Sequence, residues 1–227
     1  MKKVLVTGAS RGIGRSIALK LADEYELYLI CRNRSDLMSD LPGKHYTGDV
    51  GDLTFIEEVF KDIGAPDLVI NNAGIAHFDV IQDISPEKWN DILTTNLTAV
   101  YNTSYFAAKK MIPRHSGRII NISSIWGLYG GACESAYSAS KGGVNAFTKA
   151  LAKEFAPSGI AVNALAPGVV DTDMNSRLSE QERSELIEQI PAGRMVSPDE
   201  VAEAVILLSK MPVYLTGQII AMDGGMI

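Results

Sequence analysis

The sequence predicts one α/β domain built on a seven-stranded parallel sheet, doubly wound with helices on both faces. Three observations predict it. Short apolar runs alternate along the chain with segments whose apolar residues recur at helical spacing, beginning at Val4-Leu5-Val6. A turn with glycines at 8, 12 and 14 joins the first run to the first helical segment. No Pro/Gly/Ser-rich linker divides the 227 residues, a length that one α/β domain can hold.

Composition narrows the function. With 46% hydrophobic residues the chain can bury a full core, and a formal net charge of -6 argues against nucleic acid or an anionic membrane surface as partner. No apolar run reaches membrane-spanning length, and the strand-like start leaves no room for a cleavable signal, so a cytoplasmic protein is expected. Cys31 and Cys133 are far apart, and with three scattered histidines they have no metal-ligand spacing. No metal centre is expected, and the expected partners are small molecules or protein.

The first strand ends in Thr7-Gly8, and Ile13, Ile17, Ala18 and Leu21 mark the helix that follows. Gly8, Gly12 and Gly14 let the backbone turn tightly and approach a pyrophosphate, whose charge then sits at the helix N-terminus. With Ser10, Arg11 and Ile13 they form the opening of a dinucleotide-binding, Rossmann-like fold, although the spacing is Gly-x-x-x-Gly-x-Gly rather than Gly-x-Gly-x-x-Gly. The second strand, 26–30, runs into Cys31-Arg32-Asn33-Arg34, where an NAD-binding chain would place a carboxylate against the ribose 2′-hydroxyl. No carboxylate appears before Asp36. Arg32, with Arg11, offers guanidinium groups that suit a 2′-phosphate, so NADPH (NADP+) is favoured over NADH; Arg32 and Arg34 also read as solvated charges at a strand end.

Residues 35–44 leave room for a turn or two of helix before the third strand at His45-Tyr46-Thr47, closed by Gly48-Asp49-Val50. Asp52 reads as the cap of a helix at 53–63, and a fourth strand at 68–70 leads into Asn71-Asn72-Ala73-Gly74. Ser85-Pro86-Glu87 starts a long helix that carries Trp89, Ile92, Leu93, Asn96 and Val100. Asn96 is polar on an apolar stripe, so it either bends the helix or belongs to a site network.

The fifth strand, 118–123, ends in Ser123-Ser124, and a helix at 135–155 carries Tyr137 and Lys141 on one face. An ammonium beside a phenol favours the phenolate, which makes Tyr137 a candidate general acid with its pKa lowered by Lys141. Cys133 is close enough in sequence for its thiol to line the same site. The sixth strand, 160–165, delivers Pro167-Gly168. Residues 171–194 are polar and of mixed charge, which suits a helical lid over a substrate or a plain surface helix. A helix at 201–208 and a strand at 217–222 complete the chain.

In order and spacing, Thr7-Gly8-Ala9-Ser10-Arg11-Gly12-Ile13-Gly14, Asn71-Asn72-Ala73-Gly74, Ser124, Tyr137-Ser138-Ala139-Ser140-Lys141 and Pro167-Gly168 resemble the short-chain dehydrogenase/reductase family. The resemblance runs from Lys3 to Met226. It implies that Ser124 holds a substrate carbonyl, Tyr137 supplies a proton, Lys141 lowers the Tyr137 pKa and holds the cofactor ribose, and Asn96 holds a water against Lys141. It further implies Asp49 and Val50 beside the adenine, Asn72, Ala73 and Gly74 over the cofactor ribose, and Pro167, Gly168, Val170 and Thr172 around the nicotinamide. A homodimer or homotetramer through the helices after strands four and five is implied too. The segments 35–44 and 53–66 are shorter than the family pattern leads one to expect.

Within the family, Asp171-Thr172-Asp173-Met174, Ile190-Pro191-Ala192-Gly193-Arg194 and Asp223-Gly224-Gly225-Met226 look most like the 3-oxoacyl-carrier-protein reductases of fatty acid synthesis. A basic cluster of Lys109, Lys110, Arg114 and Arg118 suits an acidic carrier protein, or an ordinary solvated helix end. Ser158 stands where such reductases often carry a base. Ser123-Ser124-Ile125-Trp126-Gly127 with Cys133-Glu134 looks instead like bacterial reductases of an aminoketone on elongation factor P. A cofactor-binding regulator without turnover is a third reading, against which the intact Asn96, Ser124, Tyr137 and Lys141 stand.

Overall fold

In the computed structural model, which describes residues 1–33, 39–175 and 178–227, seven strands pair side by side, all in parallel. They are β1 (Lys2–Thr7), β2 (Tyr25–Cys31), β3 (Lys44–Thr47), β4 (Leu68–Asn71), β5 (Gly117–Ile122), β6 (Ile160–Pro167) and β7 (Ile219–Met222). Their order across the sheet is β3-β2-β1-β4-β5-β6-β7, so the winding reverses between β1 and β4. In such sheets the carboxyl ends of the strands open into a crevice at the reversal.

Both faces are buried, which is why the strands read as nearly continuous apolar runs. Val4, Val6, Leu27 and Leu29 point to one face, against α1 (Gly12–Leu21) and α8 (Pro198–Lys210) through Ile17, Leu21, Val201 and Val205. Leu5, Tyr28 and Ile30 alternate to the other, against α2 (Leu53–Ile63), α4 (Ala99–Met111) and α6 (Ser135–Phe155). Two helix starts follow the caps read from the sequence: Asp52 accepts from the amides of Thr54 and Phe55, and Ser85 from that of Lys88. Ser197 forms a capping box with Glu200 and starts α8 at 198 rather than the expected 201.

The long helix expected from 86 through 100 is broken. It runs as α3 (Pro86–Leu93), a π turn (Thr94–Thr98) and then α4. Asn96 sits in the π turn, its side chain bonded outside the helix, and a wide turn of this kind accommodates such a pull. The two readings of Asn96 are therefore one. A short helix, α5 (Trp126–Tyr129), was not foreseen, and α7 (Glu180–Glu188) is the helix of the expected lid. Arg34 and residues 35–38 of the helix expected at 35–44 lie outside the described residues; 39–43 are not helical, and β3 begins at Lys44.

Two members of the basic cluster, Arg114 and Arg118, are engaged by the backbone. Arg114 donates to the carbonyls of Ser116, Ala65 and Pro66 and pairs with Asp67, while Arg118 donates to those of Leu208 and Met211. These residues stand at the amino end of β5, whereas Ser124 follows its carboxyl end. Their guanidinium groups are tied to backbone carbonyls, and they are at the wrong edge of the sheet for a site in the crevice.

Candidate active site

A cleft of about 640 Å³ opens at the reversal, lined from the carboxyl ends of β1, β2, β4, β5 and β6. Its first wall is the glycine turn. Gly8 has φ +67, and a Cβ there would stand 2.8 Å from Ala73 Cα; a Cβ on Gly14 would stand 2.2 Å from the Gly8 carbonyl oxygen. Both glycines are required by packing of the turn upon itself and on the segment after β4. Thr7 Oγ1 accepts from the amides of Asn72 and Ala73, each at 3.0 Å, and Asn72 Nδ2 donates to the carbonyls of Thr7 and Gly8, each at 3.1 Å. Asn72 thereby straps β1 to β4. No side chain caps α1, so its first-turn amides at the cleft keep their capacity to bind a pyrophosphate. Ser10, Arg11, Gly12 and Ile13 line the cleft beside it.

At the end of β2, Arg32 Nη2 donates to Thr95 Oγ1 at 3.0 Å and lies 3.5 Å from Asp49 Oδ2. Asp49 Oδ1 accepts from the Gly51 amide at 2.8 Å. Val50 lines the cleft; Asp49 is not among the lining residues and instead steadies Arg32 and its own loop. Arg11 lies 3.8 Å from Asp173, with both side chains exposed.

At the other end, α6 brings Tyr137 and Lys141 one turn apart against Ser124. Ser124 and Tyr137 both line the cleft, the Ser124 side chain acts on the Tyr137 phenol, and Ser124 Oγ accepts from the Trp126 amide at 3.2 Å. Ser123 Oγ donates to the Lys141 carbonyl, the local backbone role expected of it. Lys141 Nζ donates to the Ile122 carbonyl at 2.8 Å and stands 5.7 Å from the centroid of the Tyr137 ring.

Burial dominates the electrostatics here. Burial pushes the Tyr137 phenol up to about 12; the bond from Ser124 opposes the rise and the charge of Glu134 adds to it. Burial pushes Lys141 down to about 8. Burial thus outweighs any lowering of the Tyr137 pKa by Lys141, whose ammonium donates to the Ile122 carbonyl.

Asn96 stands behind these groups rather than on the cleft wall. Its Oδ1 accepts from the Ile75 amide at 2.8 Å, and its Nδ2 donates to the Ile75 carbonyl at 2.9 Å and to Ser140 Oγ at 3.1 Å. A Cβ on Gly74 would lie 3.3 Å from Asn96 Oδ1 and 3.6 Å from Lys141 Nζ, so the glycine keeps open the space between them.

Pro167, Gly168, Val170 and Thr172 line the third wall, as do Met174, Leu178 and Leu186 from the expected lid. Val170 and Val196 form a parallel bridge that closes the base of that excursion, and Arg183 pairs with Asp171 at 2.8 Å. Gly14, Asp49 and Asn96 are thus the sequence-predicted residues that support the cleft without lining it.

Several residues escaped the sequence reading. Thr7, Thr95 and Ser140 are ordinary hydroxyls until the fold gives them partners, and Phe78, Trp126 and the buried Glu134 join the wall beside Tyr137. A buried chain of Thr103, Asn71, Asn121 and Thr148 ties α4, β4, β5 and α6 together beneath the site. Cys133 is exposed and does not line the cleft; its carbonyl accepts from the Asp79 amide at 3.0 Å. Among the described residues, no group of three His, Cys, Asp or Glu is placed to hold a metal ion, and no helix is long and apolar enough to cross a membrane.

Known proteins share this arrangement. Residues 2–183 match the sequence model of the family described as short chain dehydrogenase. The 3-oxoacyl-[acyl-carrier-protein] reductases FabG of Vibrio harveyi and of Escherichia coli K12 are each 39% identical over 236 residues, covering 99% of this chain and 97% of theirs. FabG of Aquifex aeolicus is 38% identical over 240 residues, with the same coverage. A solved structure, described as that of a candidate gluconate dehydrogenase from Agrobacterium tumefaciens, superposes with a TM-score of 0.93 at 32% identity, over 99% of this chain and 95% of that one. The aligned lengths exceed the 227 residues of this chain, so it carries deletions relative to those reductases. The chain belongs to the short-chain dehydrogenase family and is an NAD(P)-dependent oxidoreductase that acts on a carbonyl or hydroxyl group.

Proposed function

We propose that this protein is an NADPH-dependent carbonyl reductase whose acceptor is a carrier-bound 3-oxoacyl thioester, reduced to the 3-hydroxyacyl form. One observation carries the reading: Ser124 and Tyr137 share a cleft with the glycine turn and Arg32. The cofactor, when bound, supplies the hydride. Ser124 holds the carbonyl oxygen and Tyr137 gives it a proton; with its pKa raised to about 12, Tyr137 is in the donor form at neutral pH. The Lys141 charge stabilises the phenolate left behind, and a water held by Asn96 against Lys141 resupplies the proton.

Gly8, Ser10, Gly12, Ile13, Asn72, Ala73 and Gly74 hold the dinucleotide in this reading, and Pro167, Gly168, Val170 and Thr172 face its nicotinamide end. Arg32 and Arg11 take the 2′-phosphate, since the described end of β2 carries no carboxylate. The Val170–Val196 excursion is the lid over the acceptor. Tyr101 and Tyr105 on α4, both exposed and stacked on each other, with Phe147 of α6 beside them, offer the contact for a homodimer or homotetramer. The names of the relatives support the thioester.

The test is NADPH consumption, with NADH in parallel, on a short 3-oxoacyl thioester, with Tyr137→Phe as the blank. Turnover that needs Tyr137 and prefers NADPH upholds the reading. NADPH consumption by the wild type no greater than that of the Tyr137→Phe blank on any acceptor, with the cofactor bound, would return the chain to a cofactor-binding regulator.

A second acceptor, an aminoketone such as that on elongation factor P, is favoured by Glu134. Glu134 lines the cleft one turn before Tyr137 and its charge acts on that phenol, so it attracts a cationic amine there and repels an acidic substrate. Thioester refused and aminoketone reduced, both in the presence of NADPH, would move the assignment.

A further inference from the structure

Arg32 is the guanidinium at the 2′-phosphate end of the cleft, and a long side chain at a strand end has many rotamers. Its free energy of binding depends on what holds it in place. Two groups hold it here. Asp49 Oδ2 stands 3.5 Å from Nη2, with both side chains about half exposed, and Thr95 Oγ1 accepts from the same nitrogen at 3.0 Å. The two holds differ in kind. A 2′-phosphate competes with Asp49 for the charge of Arg32, whereas a neutral hydroxyl can keep its bond to the guanidinium while the phosphate binds.

Thr95 is also the better-anchored of the two. It is 5% exposed yet reaches the cleft, and it lies in the π turn Thr94–Thr98. The turn is braced on the loop that carries Asp49: a Cβ on Gly51 would stand 2.5 Å from Thr94 Cγ2, and Asn102 Nδ2 donates to the carbonyls of Val50 at 3.1 Å and Gly51 at 3.0 Å. On the other side Asn96 fixes the same turn to Ile75 and Ser140. Adjacent residues of one wide turn therefore serve opposite ends of the cleft.

We infer that Thr95 is the positioning residue for Arg32 and that its hydroxyl, rather than Arg32 alone, sets the preference for a 2′-phosphorylated dinucleotide. The inference rests on the NADPH reading above. Thr95→Val removes the acceptor with little change of shape, Thr95→Ser keeps it, and Arg32→Ala removes the group it positions.

The experiment is fluorescence titration of these variants and the wild type with NADPH and with NADH, with thermal unfolding of each protein as the control for folding. In Thr95→Val the NADPH dissociation constant rises about tenfold while that for NADH shifts less than about twofold. Thr95→Ser stays within about twofold of the wild type, and adding Thr95→Val to Arg32→Ala weakens NADPH no further, which is the signature of two residues acting as one unit. Equal weakening of both dinucleotides in Thr95→Val, or additive losses with Arg32→Ala, overturns the inference, because either means a general disturbance of the turn. A wild type that binds NADH as tightly as NADPH, with Arg32→Ala changing neither, overturns the NADPH reading itself. A preference that survives Thr95→Val overturns only the role of Thr95.

Discussion

Lys141 Nζ donates to the carbonyl of Ile122 at 2.8 Å, which ties the buried ammonium to the last residue of β5. Burial lowers Lys141 from its ordinary 10.5 to about 8. Below pH 8 the lysine is charged in both folded and unfolded chains, and the cost of burying that charge is fully present. Between about 8 and 10.5 the unfolded chain holds a proton that the folded chain has released, so stability rises with pH.

Lys141→Met removes the titration. In urea unfolding from pH 7 to pH 10, wild-type stability should gain on that of Lys141→Met by a few kcal/mol, at about 1.4 kcal/mol per pKa unit. A constant difference across that range would show that Lys141 keeps its ordinary pKa. Tyr137 acts in the opposite sense and at higher pH: with its pKa raised from 10 to about 12, its contribution is lost as pH rises from 10 towards 12.

Asn96→Ala should destabilise the fold as well as impair turnover. The substitution removes three bonds and leaves the amide and carbonyl of Ile75 without the carboxamide that satisfies both. A loss of about 2–4 kcal/mol in urea unfolding is expected, against about 1 kcal/mol for Ser140→Ala. A loss in Asn96→Ala no greater than in Ser140→Ala would mean that the π turn does not depend on Asn96.

The glycines of the first turn separate by what they touch. In Gly14→Ala the new Cβ meets the Gly8 carbonyl oxygen at 2.2 Å, which is backbone and cannot yield, so a loss of roughly 3 kcal/mol is expected. In Gly12→Ala the contact is Thr172 Cγ2 at 3.3 Å, and the cost is the left-handed φ of +52, about 1–2 kcal/mol. Thermal unfolding ranks them, and the reverse ranking would contradict the packing of the turn.

Glu134→Gln keeps the backbone bonds that residue 134 makes to Gly131 and Ser138 and removes the charge beside Tyr137. The Tyr137 pKa falls as a result, seen as an earlier rise of tyrosinate absorbance with pH in comparison with Glu134→Gln/Tyr137→Phe. The preference for a dimethylamino ketone over its isopropyl isostere should drop severalfold in kcat/KM. An unchanged preference would remove Glu134 from acceptor choice.

What the sequence determined by itself is what short-range chemistry controls. The period of the apolar runs placed strands and helices, Asp52 and Ser85 marked the starts of α2 and α3, and the spacing of Tyr137 and Lys141 put them on one face of α6. The glycine turn was legible because Gly8 must take a positive φ wherever the rest of the chain lies. Only the tertiary structure decided which group each side chain meets. Asn96 finds Ser140 across 44 residues and Arg32 finds Thr95 across 63, partners set by the packing of π turn, α6 and β2. The same holds for Arg114 and Arg118, which read as a basic surface and are spent on carbonyls, and for Lys141, whose pKa follows its burial rather than its neighbour in the helix. Periodicity and capping act within a turn or two, whereas desolvation and long-range hydrogen bonds exist only once the sheet has closed over them.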